Sequence, residues 1–430
     1  MASAHNVVVA MSGGPTPVIN NSLRGIVEAC ADFPQRFHTV YGALHGIEGV
    51  LLEKLLDLTA QPAQEMALLR TTPAAGAIGT CRYKLRSSQQ EDFERVIEVF
   101  RAHEVGSFFY IGGNDSMDTA HKVAALAAER GLELHAVGVA KTIDNDVGDR
   151  DFELVDHTPG YGSVARYWAH LVQNADEENR GSSPSDPVLV LQAMGRKIGF
   201  VPAAARLADP EREMPLQIYL PEAGLSLGEL TDLVNDQLRR SGRCLVVVSE
   251  GLDVGDLGDS KDAFGHTQFS SSALTAQQVV VAHLNRAGIA ARGSARGQVP
   301  GTDQRSAMIS ASTVDLEEAY KVGRNAVAIA VEDGGGFMST IQRRPGDIYS
   351  VDYGKVPLET VANSEREFPA RWIAASRIDV TDDFVRYAAP LIGDDWVSVP
   401  LVGGRQRFAR LSPIIAEKKL PDYLPQAHRR

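Results

Sequence analysis

The chain has 430 residues, of which 44% are hydrophobic and 23% charged, and this composition is typical of a soluble globular enzyme with roughly two or three cores. Its 43 basic and 55 acidic side chains leave a formal net charge of −12, which disfavours a general surface for nucleic acid or anionic membrane. Cys30, Cys81 and Cys244 are far apart and form no C-x-x-C pair, which argues against a disulfide framework or a structural zinc site and favours a reducing cytoplasm.

The first third of the chain alternates short apolar runs with segments of helical period. Because buried parallel strands read as continuous apolar runs, this alternation predicts βαβ units around a parallel sheet. The run from Val7 to Met11 is too short for a signal peptide or a membrane span, and no membrane association is expected. Strands are predicted at 6–11, 37–43, 106–111 and 135–140, and helices at 18–29, 90–102 and 117–130.

The same alternation resumes after a turn-rich stretch. Ser226 and Glu229 have the spacing of a capping box, which predicts a helix from Ser226 onward. Residues 253–268, rich in Gly and Asp, are predicted to be a loop or insertion, and the pattern is lost from about Gly346. Further helices are predicted at 161–175 and 196–208, and strands at 188–192, 216–220 and 244–249.

These elements predict an α/β fold with two doubly wound, Rossmann-like parallel-sheet domains. The active site is expected in the cleft between them, because ligands bind beyond the carboxyl ends of parallel strands. We place an N-terminal domain at 1–148 on the phosphoryl-donor side and a second domain at 149–335 on the sugar-phosphate side. Residues 336–430 are expected to return to the domain interface and to end in an extension.

Two polar loops follow the strands predicted at 106–111 and 135–140. Gly112-Gly-Asn-Asp-Ser116 opens into a helical pattern, where backbone N–H groups receive phosphate oxygens. Lys141-Thr-Ile-Asp-Asn-Asp146 contains one ammonium group and two carboxylates. A cation that holds phosphate beside an anion that accepts a proton is what phosphoryl transfer to a hydroxyl requires.

A third loop, Ser12-Gly-Gly-Pro15, lies between the first predicted strand and helix. It fits a phosphate cradle or a plain βα turn equally well. The loop has neither the G-x-x-x-x-G-K-[ST] nor the G-x-G-x-x-G pattern, so P-loop nucleotidases, protein kinases and dinucleotide oxidoreductases lose their main support.

Six short motifs occur in an order that is more specific than any one of them. This series resembles the phosphofructokinase family over about residues 6–390. The resemblance implies two α/β domains whose cleft holds the sugar phosphate and the phosphoryl donor, in agreement with the pattern of elements. The motifs are Ser12-Gly-Gly, Gly79-Thr-Cys-Arg82, Gly112-Gly-Asn-Asp-Ser116, Thr142-Ile-Asp-Asn-Asp146, Met194-Gly-Arg196 and Ser249-Glu-Gly251.

Asp115 and Lys141 resemble the pyrophosphate-dependent branch of that family, since ATP-dependent members have Gly at both positions. A carboxylate at 115 would occupy and repel the space of a nucleotide α-phosphate. An ammonium at 141 would replace the stabilisation that a short donor loses with its adenosine contacts. Alone, Asp115 would more often be a helix N-cap, and the pair with Lys141 favours function.

The resemblance also implies a role for each matching side chain. Asp144 would be the base at the sugar C1 hydroxyl, with Lys141 and Asp115 as the other catalytic residues. Asn114 replaces the Asp that contacts magnesium in many members, so its amide oxygen or a water would bind Mg²⁺. The donor-binding residues would be Gly13, Gly14, Arg82, Gly113 and Ser116. The substrate-binding residues would be Thr142, Asp146, Met194, Gly195, Arg196, Glu250, Arg296, Thr302 and Arg305. Tyr83 and Lys84 follow Arg82, and for each of them either a place at the donor site or simple surface exposure stays open.

The implied activity is a reversible, Mg²⁺-dependent transfer from pyrophosphate to fructose 6-phosphate in glycolysis and gluconeogenesis, by a cytoplasmic homo-oligomer, either a dimer or a tetramer. Two alternatives stay open: an ATP-dependent enzyme that tolerates Asp115 and Lys141, and a non-catalytic regulatory subunit. A roomier cleft would also admit sedoheptulose 7-phosphate. Pro187 stands where bacterial ATP-dependent members have an arginine that reaches a neighbouring subunit, so their tetramer and its allostery are not carried over.

Overall fold

The first sheet carries the amino-terminal half of the site. A computed structural model describes residues 4–258, 272–362 and 365–429. In this sheet the strand order is β11-β10-β5-β4-β1-β2-β3, and β3 and β11 run antiparallel to their neighbours at its two edges. The strands of the described residues are β1 (His5–Met11), β2 (Phe37–Ala43), β3 (Leu55–Asp57), β4 (Val105–Gly112), β5 (His135–Ala140), β6 (Val188–Ala193), β7 (Leu216–Tyr219), β8 (Cys244–Ser249), β9 (Ala295–Gln298), β10 (Phe337–Arg343), β11 (Val351–Pro357), β12 (Leu401–Val402) and β13 (Arg405–Gln406).

Helices cover both faces of this sheet, which explains why β1 is apolar at every central position. Val8 and Ala10 pack in one core with α4 and α5, whereas Val7 and Val9 pack in the other with α1 and α10. Successive side chains of a strand point to opposite faces, so a strand buried on both faces has no polar side. The helices of the described residues are α1 (Ile19–Ala31), α2 (Ile47–Leu51), α3 (Ala63–Leu68), α4 (Gln90–Ala102), α5 (Asn114–Glu129), α6 (Tyr161–Ser182), α7 (Phe200–Ala203), α8 (Leu227–Ser241), α9 (Ala276–Ala287), α10 (Thr313–Glu332), α11 (Leu358–Val361) and α12 (Asp382–Ile392).

The second sheet has the order β7-β8-β6-β9, and all its pairs are parallel. Val188 and Val190 of β6 pack with α8 and α9, whereas Leu191 and Ala193 pack with α6 on the other face. The predicted α/β fold with two helix-covered sheets is therefore confirmed. The domain boundaries stay a prediction, and two strands beyond residue 336, β10 and β11, belong to the first sheet.

Several predicted elements match the structure residue for residue. Strands β2, β5 and β8 and helix α4 have the predicted bounds, and the capping box of α8 is formed. The helix predicted at 196–208 is wrong in its first turn. Gly195 and Arg196 have φ values of +120° and +55°, which a right-handed helix does not allow, and the helix begins only at Phe200.

Other elements were not predicted. They include the helices α9, α10 and α12 and the strands β9, β10 and β11. Of the predicted loop 253–268, residues 259–268 lie outside the described residues. Among the helices that the structure describes, none is both long and apolar enough to cross a lipid bilayer.

Candidate active site

Three loops begin side by side at the carboxyl edge of the first sheet. Gly112 pairs with Ala140 across β4 and β5, and the N–H of Lys141 donates to Gly112 O at 3.0 Å. On the other side of β4, the N–H of Ser12 donates to Ile111 O at 2.9 Å. The loops 12–15, 112–116 and 141–146 are therefore brought together, as the strand pattern predicts.

Lys141 lies at the centre of these loops, and only 3% of its surface is exposed. Its Nζ donates to Gly14 O at 2.6 Å. Burial lowers the pKa of Lys141 to about 7, although the carboxylates of Asp144 and Asp146 oppose the shift. The guanidinium of Arg305 lies against the same loop, because a Cβ added to Gly14 would be 2.7 Å from its Nη1. Lys141 and Arg305 thus both lie at the glycine loop, and both could contact a phosphate bound there.

Asp144 is the carboxylate closest to this ammonium in sequence. Burial raises the pKa of Asp144 to about 6, while the cation of Arg196 opposes the shift with its Nε 3.6 Å from Oδ2. The turn that carries Asp144 is held by Asn145, which has a φ of +57° and whose Nδ2 donates to the Tyr387 hydroxyl at 2.8 Å. A carboxyl group with this pKa is deprotonated near neutral pH and still basic enough to accept a proton.

The second sheet contributes the opposite wall through the ends of β6 and β8. The N–H of Arg196 donates to Glu250 Oε1 at 3.0 Å, and Arg196 O accepts from Ser249 Oγ at 2.9 Å. A Cβ at Gly251 would lie 2.0 Å from Arg196 O, so only glycine allows this approach. Burial raises the pKa of Glu250 to about 7. Because Arg196 also contacts Asp144, loops from both sheets meet in one cleft.

The segment that carries Arg82 runs beside the glycine loop. Ser12 and Cys81 form a parallel bridge, and Thr80 Oγ1 donates to Gly13 O at 2.9 Å. Arg82 is exposed. Burial lowers the pKa of the Arg305 guanidinium, and the charge of nearby Arg82 lowers it further. The donor-side residues Gly13, Gly14 and Arg82 are therefore neighbours in the structure.

Asp115 lies in the first turn of α5, directly after Gly113 and Asn114. Its Oδ1 forms an ion pair with Lys84 Nζ at 2.5 Å. Ser116 is buried, and its N–H donates to Gly113 O at 3.0 Å. The amino end of α5 thus presents a helix terminus that favours anions together with one fixed carboxylate.

Asn114 offers an oxygen to a metal ion. Within the described residues its Oδ1 is buried without a hydrogen-bond partner, and its Nδ2 lies 3.5 Å from Asp146 O. No three His, Cys, Asp or Glu side chains of the described residues cluster as a complete metal site. One free protein oxygen fits Mg²⁺, which keeps several waters and takes further ligands from phosphates. Asn114 stays the predicted metal contact.

The remaining predicted substrate residues fall into two groups. Thr142, Asp146, Met194 and Gly195 lie on the loops already described, and Thr302 is exposed on the short 3₁₀ turn that carries Arg305. Arg296 lies apart from them on β9, where it is exposed and forms an ion pair with Asp186. It pairs in register with Leu189 near the start of β6, the end opposite to the cleft.

Two residues that support the loops were not predicted. Gln304 is buried, and its Oε1 accepts from the N–H of Met194 at 3.1 Å and from Trp168 Nε1 at 2.9 Å. The N–H of buried Arg366 donates to Asp146 O at 2.7 Å. Gln304 stands one residue before Arg305, and this neighbour was its only sequence signal. No sequence signal indicated Arg366.

Comparison with known proteins gives the family of this fold and cleft. The family model for phosphofructokinase matches residues 6–330. The chain is 38% identical to the pyrophosphate–fructose 6-phosphate 1-phosphotransferase of Methylococcus capsulatus, over 97% of this chain and 98% of that protein. The enzyme of the same name from Halomonas elongata is 37% identical over 97% and 99%.

A solved structure gives the same result. The pyrophosphate-dependent phosphofructokinase of Nitrosospira multiformis superposes with a TM-score of 0.88 at 35% identity, covering 98% of this chain and 100% of that one. Similarity in sequence and in fold thus extends over nearly the whole length of the chain. The chain belongs to the phosphofructokinase family.

Proposed function

We propose that this chain is a pyrophosphate–fructose 6-phosphate 1-phosphotransferase. It transfers one phosphoryl group from pyrophosphate to the C1 hydroxyl of fructose 6-phosphate and releases phosphate and fructose 1,6-bisphosphate. The Methylococcus capsulatus and Halomonas elongata relatives carry this name and match 97% of the chain. The observation that carries the proposal is buried Lys141 at the glycine loop, with Asp115 at the start of the neighbouring helix.

The acceptor side of the reaction needs a base, and Asp144 is proposed for it. As the bond between the phosphorus and the leaving phosphate breaks, the C1 oxygen bonds to that phosphorus and passes its proton to the Asp144 carboxylate. The pKa of Asp144, about 6, suits this transfer near neutral pH. Glu250 and Arg196 bind sugar hydroxyls, and Thr302 is proposed for the sugar phosphate. Arg305 was predicted for the same phosphate, but its guanidinium lies at the glycine loop and is proposed for the donor instead. Arg296 lies at the end of β6 opposite to the cleft and is not proposed for this chain's own site.

The donor side must stabilise charge that spreads over the transferred group. Lys141, Arg305 and Arg82 supply the cations, and the N–H groups at the start of α5 add partial positive charge. We propose Mg²⁺ as the metal; Asn114 Oδ1 would contact it, and it would neutralise charge on the donor. Asp115 occupies the space that a nucleotide α-phosphate would need.

The free energy of the donor couple supports a reversible reaction. Pyrophosphate and phosphate are closer in energy to the sugar ester than the ATP couple is, so the enzyme serves both glycolysis and gluconeogenesis. A cytoplasmic homo-oligomer, a dimer or tetramer, and sedoheptulose 7-phosphate as a second acceptor are further parts of the proposal. Sedimentation and kinetics with both sugar phosphates test them.

Donor use is the direct test. The purified chain is assayed with fructose 6-phosphate, Mg²⁺ and either pyrophosphate or ATP, and then as the Asp115→Gly/Lys141→Gly double variant. The expected result is turnover with pyrophosphate, little with ATP, and improved ATP use in the variant. Turnover with ATP alone overturns the donor assignment. Binding of sugar phosphate without turnover of either donor points instead to a regulatory subunit.

A further inference from the structure

Lys84 is an ionised side chain at the donor side that the reaction described above leaves without a role. Its Nζ lies 2.5 Å from Asp115 Oδ1, and the two side chains are 23% and 25% exposed. The pair joins the segment after Arg82 to the first turn of α5. It therefore lies between two elements that are both placed at the donor.

The backbone around Lys84 is held in place from both sides. Tyr83 and Leu85 are buried, and the Tyr83 hydroxyl donates to the Asp92 carboxylate, which is itself fully buried. Asp92 also accepts from the Tyr423 hydroxyl at 2.7 Å and from the N–H of Gln426 at 3.0 Å. The C-terminal extension thus braces the segment, and Lys84 can be positioned without its own side chain being buried.

The charge of Asp115 creates a problem that Lys84 solves. A carboxylate in the first turn of α5 repels any donor that carries several negative charges, pyrophosphate included. An ammonium paired with it removes most of this repulsion and holds the carboxylate in one place. The pair then acts by filling space, which excludes the longer nucleotide and leaves the short donor unopposed.

We propose that Lys84 is a further specificity-determining residue, a positioning residue that fixes and neutralises the Asp115 carboxylate so that it excludes nucleotide without repelling pyrophosphate. This inference rests on the proposed function. It predicts that Lys84 matters for donor binding only while Asp115 is present.

A double-mutant cycle on the full chain tests this dependence. KM and kcat for pyrophosphate are measured at saturating fructose 6-phosphate and Mg²⁺ for the native protein, Lys84→Met, Asp115→Gly and the double variant. Lys84→Met is expected to raise KM about tenfold and to leave kcat within about twofold, because the Asp115 carboxylate loses the ammonium group that opposes its charge at the donor. In the Asp115→Gly background the same substitution should change KM by less than about twofold.

Two further variants guard against loss of structure. Lys122 and Asp118 form an ion pair on the same helix at 2.6 Å, so Lys122→Met is the matched control and should leave both constants unchanged. Lys84→Arg keeps the cation and should recover most of the donor affinity. Thermal unfolding of Lys84→Met should match that of the control.

Two results overturn the inference. The first is an unchanged KM in Lys84→Met. The second is an undiminished rise in KM when Asp115 is already glycine, which would show that Lys84 binds the donor directly. Failure of the proposed function is seen separately, since the native protein would then not turn over pyrophosphate at all.

Discussion

The pH dependence of kcat/KM should have two limbs that belong to two buried groups of the cleft. The proposed transfer requires Asp144 as a carboxylate and Lys141 as an ammonium. Burial raises the pKa of Asp144 to about 6 and lowers the pKa of Lys141 to about 7. Activity therefore falls below about pH 6 as Asp144 takes up a proton, and it falls above about pH 7 as Lys141 loses one.

The closeness of these two pKa values sets the size of the effect. With limbs at about 6 and 7, roughly 60% of the free enzyme is in the productive state at the optimum midway between them, and roughly 10% remains one pH unit outside either limb. Replacing Lys141 by Arg keeps a cation that does not titrate in this range, so the basic limb should move upward by more than about two pH units. The acid limb should stay.

The assay is kcat/KM for pyrophosphate from acid to alkaline pH for the native protein and for Lys141→Arg. Ionisation of the donor itself affects both proteins equally, so only the difference between their profiles is diagnostic. The variant is expected to bind the donor less well, but the shape of its profile is the readout. A basic limb at the same pH in both proteins refutes the assignment of that limb to Lys141.

Three other predictions follow from single positions. Asp144→Asn should lower kcat by about 10³-fold with KM little changed, measured by steady-state kinetics, because the proton acceptor is lost while the binding contacts stay. Gly251→Ala places a Cβ 2.0 Å from Arg196 O and should raise KM for the sugar phosphate about tenfold while KM for pyrophosphate stays within about twofold; equal effects on both would contradict the separate roles of the two walls. His157 is a stability prediction: burial alone would lower its pKa, but the flanking carboxylates raise it to about 9, above the unfolded value of 6.5. Its stabilisation is complete below about pH 6.5 and is lost as the pH rises through about 9, so urea unfolding should show a loss of about 3 kcal/mol over that window, absent in His157→Gln.

The predicted strands show which part of a fold can be deduced from one sequence. β5 was predicted residue for residue because it is a continuous apolar run with turns at both ends, as a central parallel strand must be. β10 and β11 carry polar residues among the apolar ones and join the sheet from far along the chain, β11 as an antiparallel edge. Nothing local in 337–357 indicates that partner.

The candidate site also contains residues that local sequence signals predict and residues that only distant contacts explain. Residues on the loops that follow predicted strands, such as Lys141 and Asp144, were predicted because loop position and chemistry are both visible in the sequence. Lys84 was left open between exposure and function, since its meaning depends on a partner on another element. Arg366 supports Asp146 through a backbone hydrogen bond from a segment without any motif. Contacts of this kind arise only when distant parts of the chain are folded together.

The balance of charge in the cleft gives a physical reason for a lysine at position 141. Burial brings the pKa of Lys141 to about 7, so this side chain is only partly protonated in the free enzyme near neutral pH. A polyanionic donor beside it favours the charged form and raises that pKa again, so donor binding and the charge of Lys141 are coupled. An arginine would carry its charge with or without the donor, so its charge would not be coupled to donor binding. Lysine instead supplies full charge when pyrophosphate is present, the moment at which Asp144 must accept a proton.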